Sequence, residues 1–214
     1  MRILLFLIGI PLLAETVNFD TAAAGSLPAG WTSAMTHKGG APGWEVRKDP
    51  TAPSQPNVLA QLSSDPTGAR FPLAIADRWS FTDGEIGVKC KSVAGKGDQA
   101  CGVVWRYRDP DNYYIARANA LEDNVVLYKV EKSSRVSIAP KGTPSKTYGV
   151  KHKVPSQTWN TLRVTFAGNH FEVFFNGQKL FEAEDSTFTG PGKTGLWTKA
   201  DSVTYFDDFQ IVPK

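Results

Sequence analysis

Two adjacent carboxylates stand inside an apolar strand pattern near the C-terminus. Asp207 and Asp208 follow Phe206 and precede Phe209. A buried carboxylate is costly unless it is paired, hydrogen-bonded or bound to a metal. Asp20 belongs to an early strand expected beside the last one, so the three aspartates could hold a structural calcium ion together with carbonyl oxygens. The alternative is a β-bulge in which one aspartate of the pair caps backbone amides and the other is solvated.

A second set of polar residues could recognise a sugar. Two turns, at 109–112 and 122–124, connect three strand-like segments. Pairing Arg108 with Tyr113 and Leu121 with Val125 across these turns divides the side chains between two faces. The face predicted to enter the core carries Trp105, Tyr107, Tyr114, Ala116, Ala118, Val126, Tyr128 and Val130. The opposite face, with the neighbouring strand 195–199, forms a predicted sugar platform of Arg106, Arg117, Asn119, Lys129, Trp197 and Lys199.

The platform owes its predicted chemistry to Trp197. If Leu196 points to the core, Trp197 and Lys199 point outward. An exposed indole covers the apolar face of a pyranose, and neighbouring polar groups hydrogen-bond its hydroxyls or a carboxylate. The alternative is a solvated sheet face on which a loop covers the tryptophan.

Catalytic carboxylates are less well marked. Glu122 and Asp123 are adjacent in a tight turn, where both are expected to be solvated. Asp83 and Glu85 share the edge of a strand, although Asp83 with Gly84 is first of all a turn signal. A Ser-His-Asp or metal-ligand spacing is absent from the sequence, whose scattered histidines are His37, His152 and His170.

The elements that position these groups are short strands bounded by turn residues. Alternating segments such as Glu85–Lys91 and Trp159–Phe166 recur along the chain, and Asn176-Gly177 is a two-residue hairpin signal. A long helical period is absent. This pattern predicts an all-β sandwich or barrel. Two loops rich in glycine and proline, 39–56 and 139–155, could carry function or simply cross between sheets.

The two cysteines flank a turn and are expected to form a disulfide. Cys90 and Cys101 lie in strand-like segments on either side of residues 94–98. A bridge there would close a hairpin, whereas two cysteines without a nearby histidine do not complete a zinc site.

The N-terminus resembles an export signal. A positive start is followed by an apolar run, Ile3–Ala14, which is too short to span a bilayer comfortably. Cleavage after Ala14 would leave residues 15–214 as a single soluble domain, secreted or periplasmic, without a membrane span; the alternative is a retained anchor. The net charge of +3 is too small to favour nucleic acid as a partner.

Three stretches carry a resemblance to a known group of proteins. Residues 105–109, 112–128 and 195–209 resemble an exported bacterial family of the concanavalin A-like lectin/glucanase superfamily, similar to domains described as family-16 glycoside hydrolase-like or 3-keto-disaccharide hydrolase. The resemblance implies a jelly-roll sandwich of two antiparallel sheets, the fold that laminin-G modules share.

The expected function is recognition of an oligo- or polysaccharide on the concave sheet. The laminarinase-type motif Glu-x-Asp-x-x-Glu is absent from the sequence. The alternatives are a glycoside or 3-keto-disaccharide hydrolase, using Glu85 or a loop acid, and an envelope module that binds proteins as laminin-G domains do.

Overall fold

The computed structural model describes residues 14–214, so the predicted export signal lies almost wholly outside the described residues. Within this range the chain folds into strands connected by turns and loops, as the alternating pattern predicts. The strands are β1 (Glu15–Val17), β2 (Trp31–Thr36), β3 (Trp44–Lys48), β4 (Asn57–Gln61), β5 (Phe71–Phe81), β6 (Gly84–Ala94), β7 (Ala100–Asp109), β8 (Asn112–Asn119), β9 (Asn124–Glu131), β10 (Ser134–Ile138), β11 (Val150–Lys151), β12 (Asn160–Ala167), β13 (His170–Phe175), β14 (Gln178–Glu184), β15 (Gly192–Trp197) and β16 (Val203–Pro213).

These strands form two antiparallel sheets of eight strands each. The first sheet has the order β14-β13-β12-β6-β16-β4-β3, with β1 also paired to β16. The second has the order β10-β9-β8-β7-β15-β5-β2, with β11 also paired to β9. The many crossovers between the sheets confirm the predicted jelly-roll sandwich. The first and last strands are neighbours, as expected.

The core lies between the two sheets and is built largely of aromatic rings. Trp105 of the second sheet stacks on Phe166 of the first at 5.8 Å between ring centroids and meets Phe171 edge-on at 5.4 Å. Side chains alternate along each strand, so the other half of each sheet's residues face outward. In the second sheet this outer face carries a further apolar cluster that includes Phe71, Tyr113 and Trp197.

The predicted disulfide is present, but it joins the two sheets rather than the strands of one hairpin. Cys90 belongs to β6 in the first sheet and Cys101 to β7 in the second, with their Cα atoms 6.3 Å apart. Both side chains point into the core. The bridge therefore fixes the sandwich at the point where the chain crosses from one sheet to the other.

Removing this bridge is expected to destabilise the fold without abolishing it. Closing a loop of 11 residues' separation lowers the entropy of the unfolded chain, which corresponds to roughly 2–3 kcal/mol. The Cys90→Ala/Cys101→Ala double variant should lose that much free energy of unfolding in a urea titration. Two alkylatable thiols in the untreated wild-type protein would contradict the pairing.

The hairpin between β8 and β9 has a different register from the predicted one. Asn119 pairs with Asn124, and Arg117 pairs with Val126 rather than Lys129. The Asn119 side chain accepts hydrogen bonds from the amides of Leu121 and Glu122, at 2.9 and 3.3 Å, which organises a four-residue loop. The observed pairing differs from the predicted pairing by an odd number of residues. Every β9 side chain therefore lies on the sheet face opposite to the predicted one.

A bulge in β7 exchanges two further residues. Trp105 pairs with Tyr114, but the next pair is Asp109 with Asn112, and Arg106 between them has a φ of 48°. Arg106 therefore turns toward the sandwich, while Tyr107 packs against the outer apolar cluster. The predicted outward position of Arg106 and inward position of Tyr107 are both wrong.

Within residues 14–214, helices that are long and apolar enough to cross a membrane are absent.

Candidate functional site

Polar side chains collect at one end of the outer face of the second sheet, where β7 begins and β8 ends. We call this set the polar cluster. Arg117 donates from Nη1 to Glu122 Oε1 at 3.2 Å and from Nη2 to Glu122 Oε2 at 3.0 Å. Its Nη2 also donates to Asn124 Oδ1 at 2.7 Å. The complete polar cluster is Asp98, Arg117, Asn119, Glu122, Asn124 and Lys199.

Two carboxylates of the polar cluster share one donor. Asn119 Nδ2 donates to Asp98 Oδ1 at 2.7 Å and to Glu122 Oε1 at 3.2 Å. The Asp98 carboxylate also accepts a hydrogen bond from Lys199 Nζ at 2.5 Å. One oxygen of each carboxylate therefore lies within hydrogen-bonding reach of the same amide nitrogen. The sequence shows Glu122 in its turn, but only the fold brings Asp98 from the β6–β7 loop to its side.

The charge state of Glu122 is set by its neighbours. Partial burial opposes ionisation, but the hydrogen bond and charge of Arg117 and the hydrogen bond from Asn124 outweigh it and lower the pKa of Glu122. The Glu122 side chain is 38% exposed, whereas the Arg117 side chain is fully buried. Glu122 is thus an ionised carboxylate, held by a buried guanidinium and open to solvent on one side. The expectation that Glu122 is a freely solvated turn residue is wrong.

The exposed aromatic ring at this site is Tyr148, not Trp197. Tyr148 is 46% exposed, and its hydroxyl is 2.5 Å from that of Tyr128. The Arg117 guanidinium carbon lies 5.6 Å from the Tyr128 ring centroid and 5.9 Å from the Tyr148 centroid. Tyr148 belongs to the 139–155 loop. The glycine and proline content of this loop was the feature of the sequence that could have pointed to Tyr148.

Trp197 faces outward, as predicted, but it is fully buried. Phe71 lies 5.3 Å from it, and the Arg135 guanidinium carbon lies 5.8 Å from its ring. The predicted exposed indole is therefore wrong, because neighbouring side chains of the same face cover it. Trp197 instead forms part of the floor beneath Arg135.

Arg106 and Lys129 lie away from the polar cluster. Arg106 donates to the carbonyl oxygens of Phe188, Thr82 and Gly168 on the core side of the bulge. Lys129 contacts Asp185 and Thr187 on the inner side of β9. Their predicted outward positions are wrong. Of the six predicted platform residues, the fold brings together Arg117, Asn119 and Lys199.

The predicted metal ligands lie on the opposite side of the sandwich, around β16. Asp207 is fully buried and accepts hydrogen bonds from the amide and hydroxyl of Ser54 and from the amide of Asp208. Asp208, at a bulge, pairs with Lys89 Nζ at 2.8 Å. Asp20 Oδ1 accepts from the amide of Asn57.

Burial raises the pKa of Asp207 and outweighs the hydrogen bonds that lower it. Its carboxylate oxygens are occupied by protein donors, which is the arrangement of the capped bulge. The structural calcium ion at Asp20, Asp207 and Asp208 stays a prediction.

The remaining acids that the sequence offered for catalysis are held in ion pairs. Glu85 accepts Arg163 Nη1 at 2.6 Å on the outer face of the first sheet. Asp83 pairs with Arg106 at 3.2 Å. Neither reaches the outer face of the second sheet.

Known structures share the fold. The carbohydrate-binding module CBM66 from Bacillus subtilis superposes with a TM-score of 0.63 at 22% identity, covering 84% of this chain and 93% of that one. The cellulose-induced protein Cip1 gives 0.63 at 13%, covering 95% and 98%. The Bacillus licheniformis β-glucanase gives 0.56 at 10%, covering 91% and 100%. At these identities the likeness shows a concanavalin A-like jelly roll and no more.

The sequence itself assigns the family. A search of curated proteins found no match. The family model of the 3-keto-alpha-glucoside-1,2-lyase-like domain, in contrast, matches residues 17–212, which is nearly all of the described chain. The match spans both sheets, the disulfide and the polar cluster, and the chain therefore belongs to the family of 3-keto-alpha-glucoside-1,2-lyase-like domains.

Proposed function

We propose that this protein binds a glycan on the outer face of the second sheet, between Tyr148 and the polar cluster. The observation that carries the proposal is the half-exposed Tyr148 ring, supported from below by Arg117 and Tyr128. A sugar can stack its C–H face on such a ring. The partly exposed Glu122 and Lys199 then provide an acceptor and a donor for its hydroxyls.

Rigidity favours this site. Arg117 is fixed by Glu122 and Asn124, and Tyr148 is fixed by Tyr128, before any ligand arrives. A preorganised site loses less conformational entropy on binding. A carbohydrate-binding module has the same fold, which supports the proposal by analogy. The disulfide is consistent with an exported, extracytoplasmic protein.

Replacing Tyr148 is expected to weaken glycan binding strongly. The Tyr148→Ala variant removes the stacking ring, and truncating an aromatic hot spot costs about 2 kcal/mol or more, which is about thirtyfold in Kd. An oligosaccharide selected on a glycan array would be titrated into each variant by calorimetry. The matched control is Leu121→Ala, which removes an exposed apolar side chain (50%) from the neighbouring hairpin loop.

Unchanged affinity in Tyr148→Ala would contradict the site. Capture of an envelope protein without competition by any glycan would favour the alternative of a protein-binding module.

A second candidate function is elimination on a keto-sugar, and the partly exposed Glu122 carboxylate favours it. The family takes its name from a 1,2-lyase that acts on 3-keto-alpha-glucosides. A ketone at C3 acidifies the hydrogen at C2. A base that takes this proton allows the electron pair to form the C1–C2 double bond while the C1–O bond breaks, and the leaving oxygen then takes a proton.

Glu122 suits the role of this base, because it is ionised and partly exposed. Incubation of the protein with a 3-keto-alpha-glucoside, followed by NMR of the products, tests this candidate. Turnover by the wild type that is lost in Glu122→Gln, with Glu131→Gln as the matched control, would support it. Absence of turnover leaves binding alone as the function of the site.

A further inference from the structure

Arg135 is a cation on the outer face of the second sheet, where it pairs with Val130, and an ion pair with an acidic side chain is absent for it among the described residues. It belongs to β10, and its side chain packs against three aromatic rings. Its guanidinium carbon lies 4.6 Å from the Tyr128 ring centroid, 4.9 Å from that of Phe71 and 5.8 Å from that of Trp197. The rings pack against the guanidinium, but they do not provide the oxygen acceptors that its N–H groups need.

Donors at this position are left without acceptors. Arg135 Nη1 is buried and has no hydrogen-bond partner within residues 14–214, and the same is true of Nε of the fully buried Arg117. Both guanidiniums pack against the same ring, that of Tyr128. Buried donors are normally satisfied. The fully buried Arg117 cannot meet a ligand, whereas Arg135 is only partly buried, and its unpaired donors indicate that an acceptor from outside the chain completes its arrangement.

The local charge favours an anionic acceptor. Glu122 is already engaged by Arg117, and Asp98 by Lys199. Glu131, on the strand next to Arg135, faces the inner side together with Lys129. The positive charge of Arg135 is therefore not balanced locally, and a planar guanidinium binds carboxylate or sulfate oxygens better than neutral hydroxyls.

We infer that the glycan recognised at this site carries an anionic group, the carboxylate of a uronic acid or a sulfate ester, which Arg135 binds while the sugar stacks on Tyr148. The inference rests on the proposed function and names its ligand class. The apolar floor under Arg135 excludes water from one side of the ion pair, which strengthens it.

The test compares ligands that differ only in charge. Tetragalacturonate and its methyl ester, and a sulfated oligosaccharide with its desulfated form, are titrated into the wild type, Arg135→Gln and Arg135→Lys. We expect the wild type to prefer an anionic member about tenfold or more, because a charge-assisted hydrogen bond is worth more than a neutral one. Arg135→Gln should lose this preference, and Arg135→Lys should keep part of it.

The control is Arg78→Gln, which removes one positive charge from an arginine that is 70% exposed and paired with Glu15, away from the site. It should keep the preference. Which pair shows the preference distinguishes carboxylate from sulfate. Equal binding of the charged and neutral members would overturn the inference and leave the proposed function standing. Absence of binding to every ligand tested, with glycan-array binding absent as well, would overturn both.

Discussion

Replacing Arg106 by methionine is expected to destabilise the protein by about 3–5 kcal/mol, the typical cost of removing one partner from a buried charged network. The Arg106 side chain is fully buried. It donates to the carbonyl oxygens of Phe188 at 2.7 Å, Gly168 at 2.6 Å and Thr82 at 3.0 Å. Methionine keeps much of the apolar stem but leaves these carbonyls without their donor.

The partners of Arg106 explain the size of the effect. They come from the β5–β6 turn, the β12–β13 turn and the loop before β15, so one side chain connects three segments from both sheets. The ion pair with Asp83 contributes little, since Asp83 is 38% exposed and screened by solvent. Most of the loss should therefore come from the buried carbonyls, each of which costs about 1–3 kcal/mol when left unsatisfied.

Urea unfolding at neutral pH measures this effect. Arg78→Met is the matched control, because it makes the same substitution at an exposed arginine and should change stability by less than about 1 kcal/mol. A fully stable Arg106→Met variant with weakened glycan binding would instead return Arg106 to the binding site, as the sequence alone suggested.

The second large effect is expected at Asp201, which organises the loop behind the polar cluster. Its carboxylate accepts hydrogen bonds from the amides of Lys96, Gly97 and Asp98, at 2.7 to 3.1 Å. Burial opposes ionisation of Asp201, but the three amides outweigh it and lower its pKa. In Asp201→Asn one carboxylate oxygen becomes an NH2 group that faces these donors. The variant should lose about 3 kcal/mol of stability at pH 7, since charge-assisted hydrogen bonds are worth roughly 1.5–3 kcal/mol each.

The loss should depend on pH in a defined direction. The pKa of Asp201 is lower in the folded protein than in the unfolded chain, so the carboxylate contributes stability that is fully present above the unfolded value, about 4. This contribution disappears as the pH falls through the folded pKa. Wild type and Asp201→Asn should therefore differ fully at pH 7 and converge as the pH falls below the folded pKa of Asp201. Chemical denaturation at several pH values measures the difference.

Asp201→Asn should also weaken ligand binding, because the loop that it holds presents Asp98 to Asn119 and Lys199. Glu131→Gln is the control, as Glu131 is 45% exposed and meets Lys129 only at 3.9 Å. A stability difference that does not shrink as the solution is acidified would show that the charge of Asp201 does not carry its effect.

Local patterns in the sequence determined much of this protein. Alternation and turn residues gave the all-β class, and Cys90 and Cys101 gave the disulfide. Side chains alternate along a strand, and this alternation is a local property of the sequence. The predicted β7–β8 register was wrong by two residues, but an even shift leaves every side chain on the same face of the sheet. The outward positions of Arg117 and Asn119 were therefore predicted correctly.

Only the tertiary structure decided the rest. The hydrogen bonds of Asn119 fix a four-residue loop, and this odd offset sends Lys129 inward and Tyr128 outward. The bulge at Arg106 reverses two more side chains. Burial depends on segments far along the chain, so Trp197 is covered by groups that its own strand does not specify. For the same reason Asp98, Arg135 and Tyr148 join the site from three separate segments, because contacts between distant strands follow from sheet packing and leave no period in the sequence.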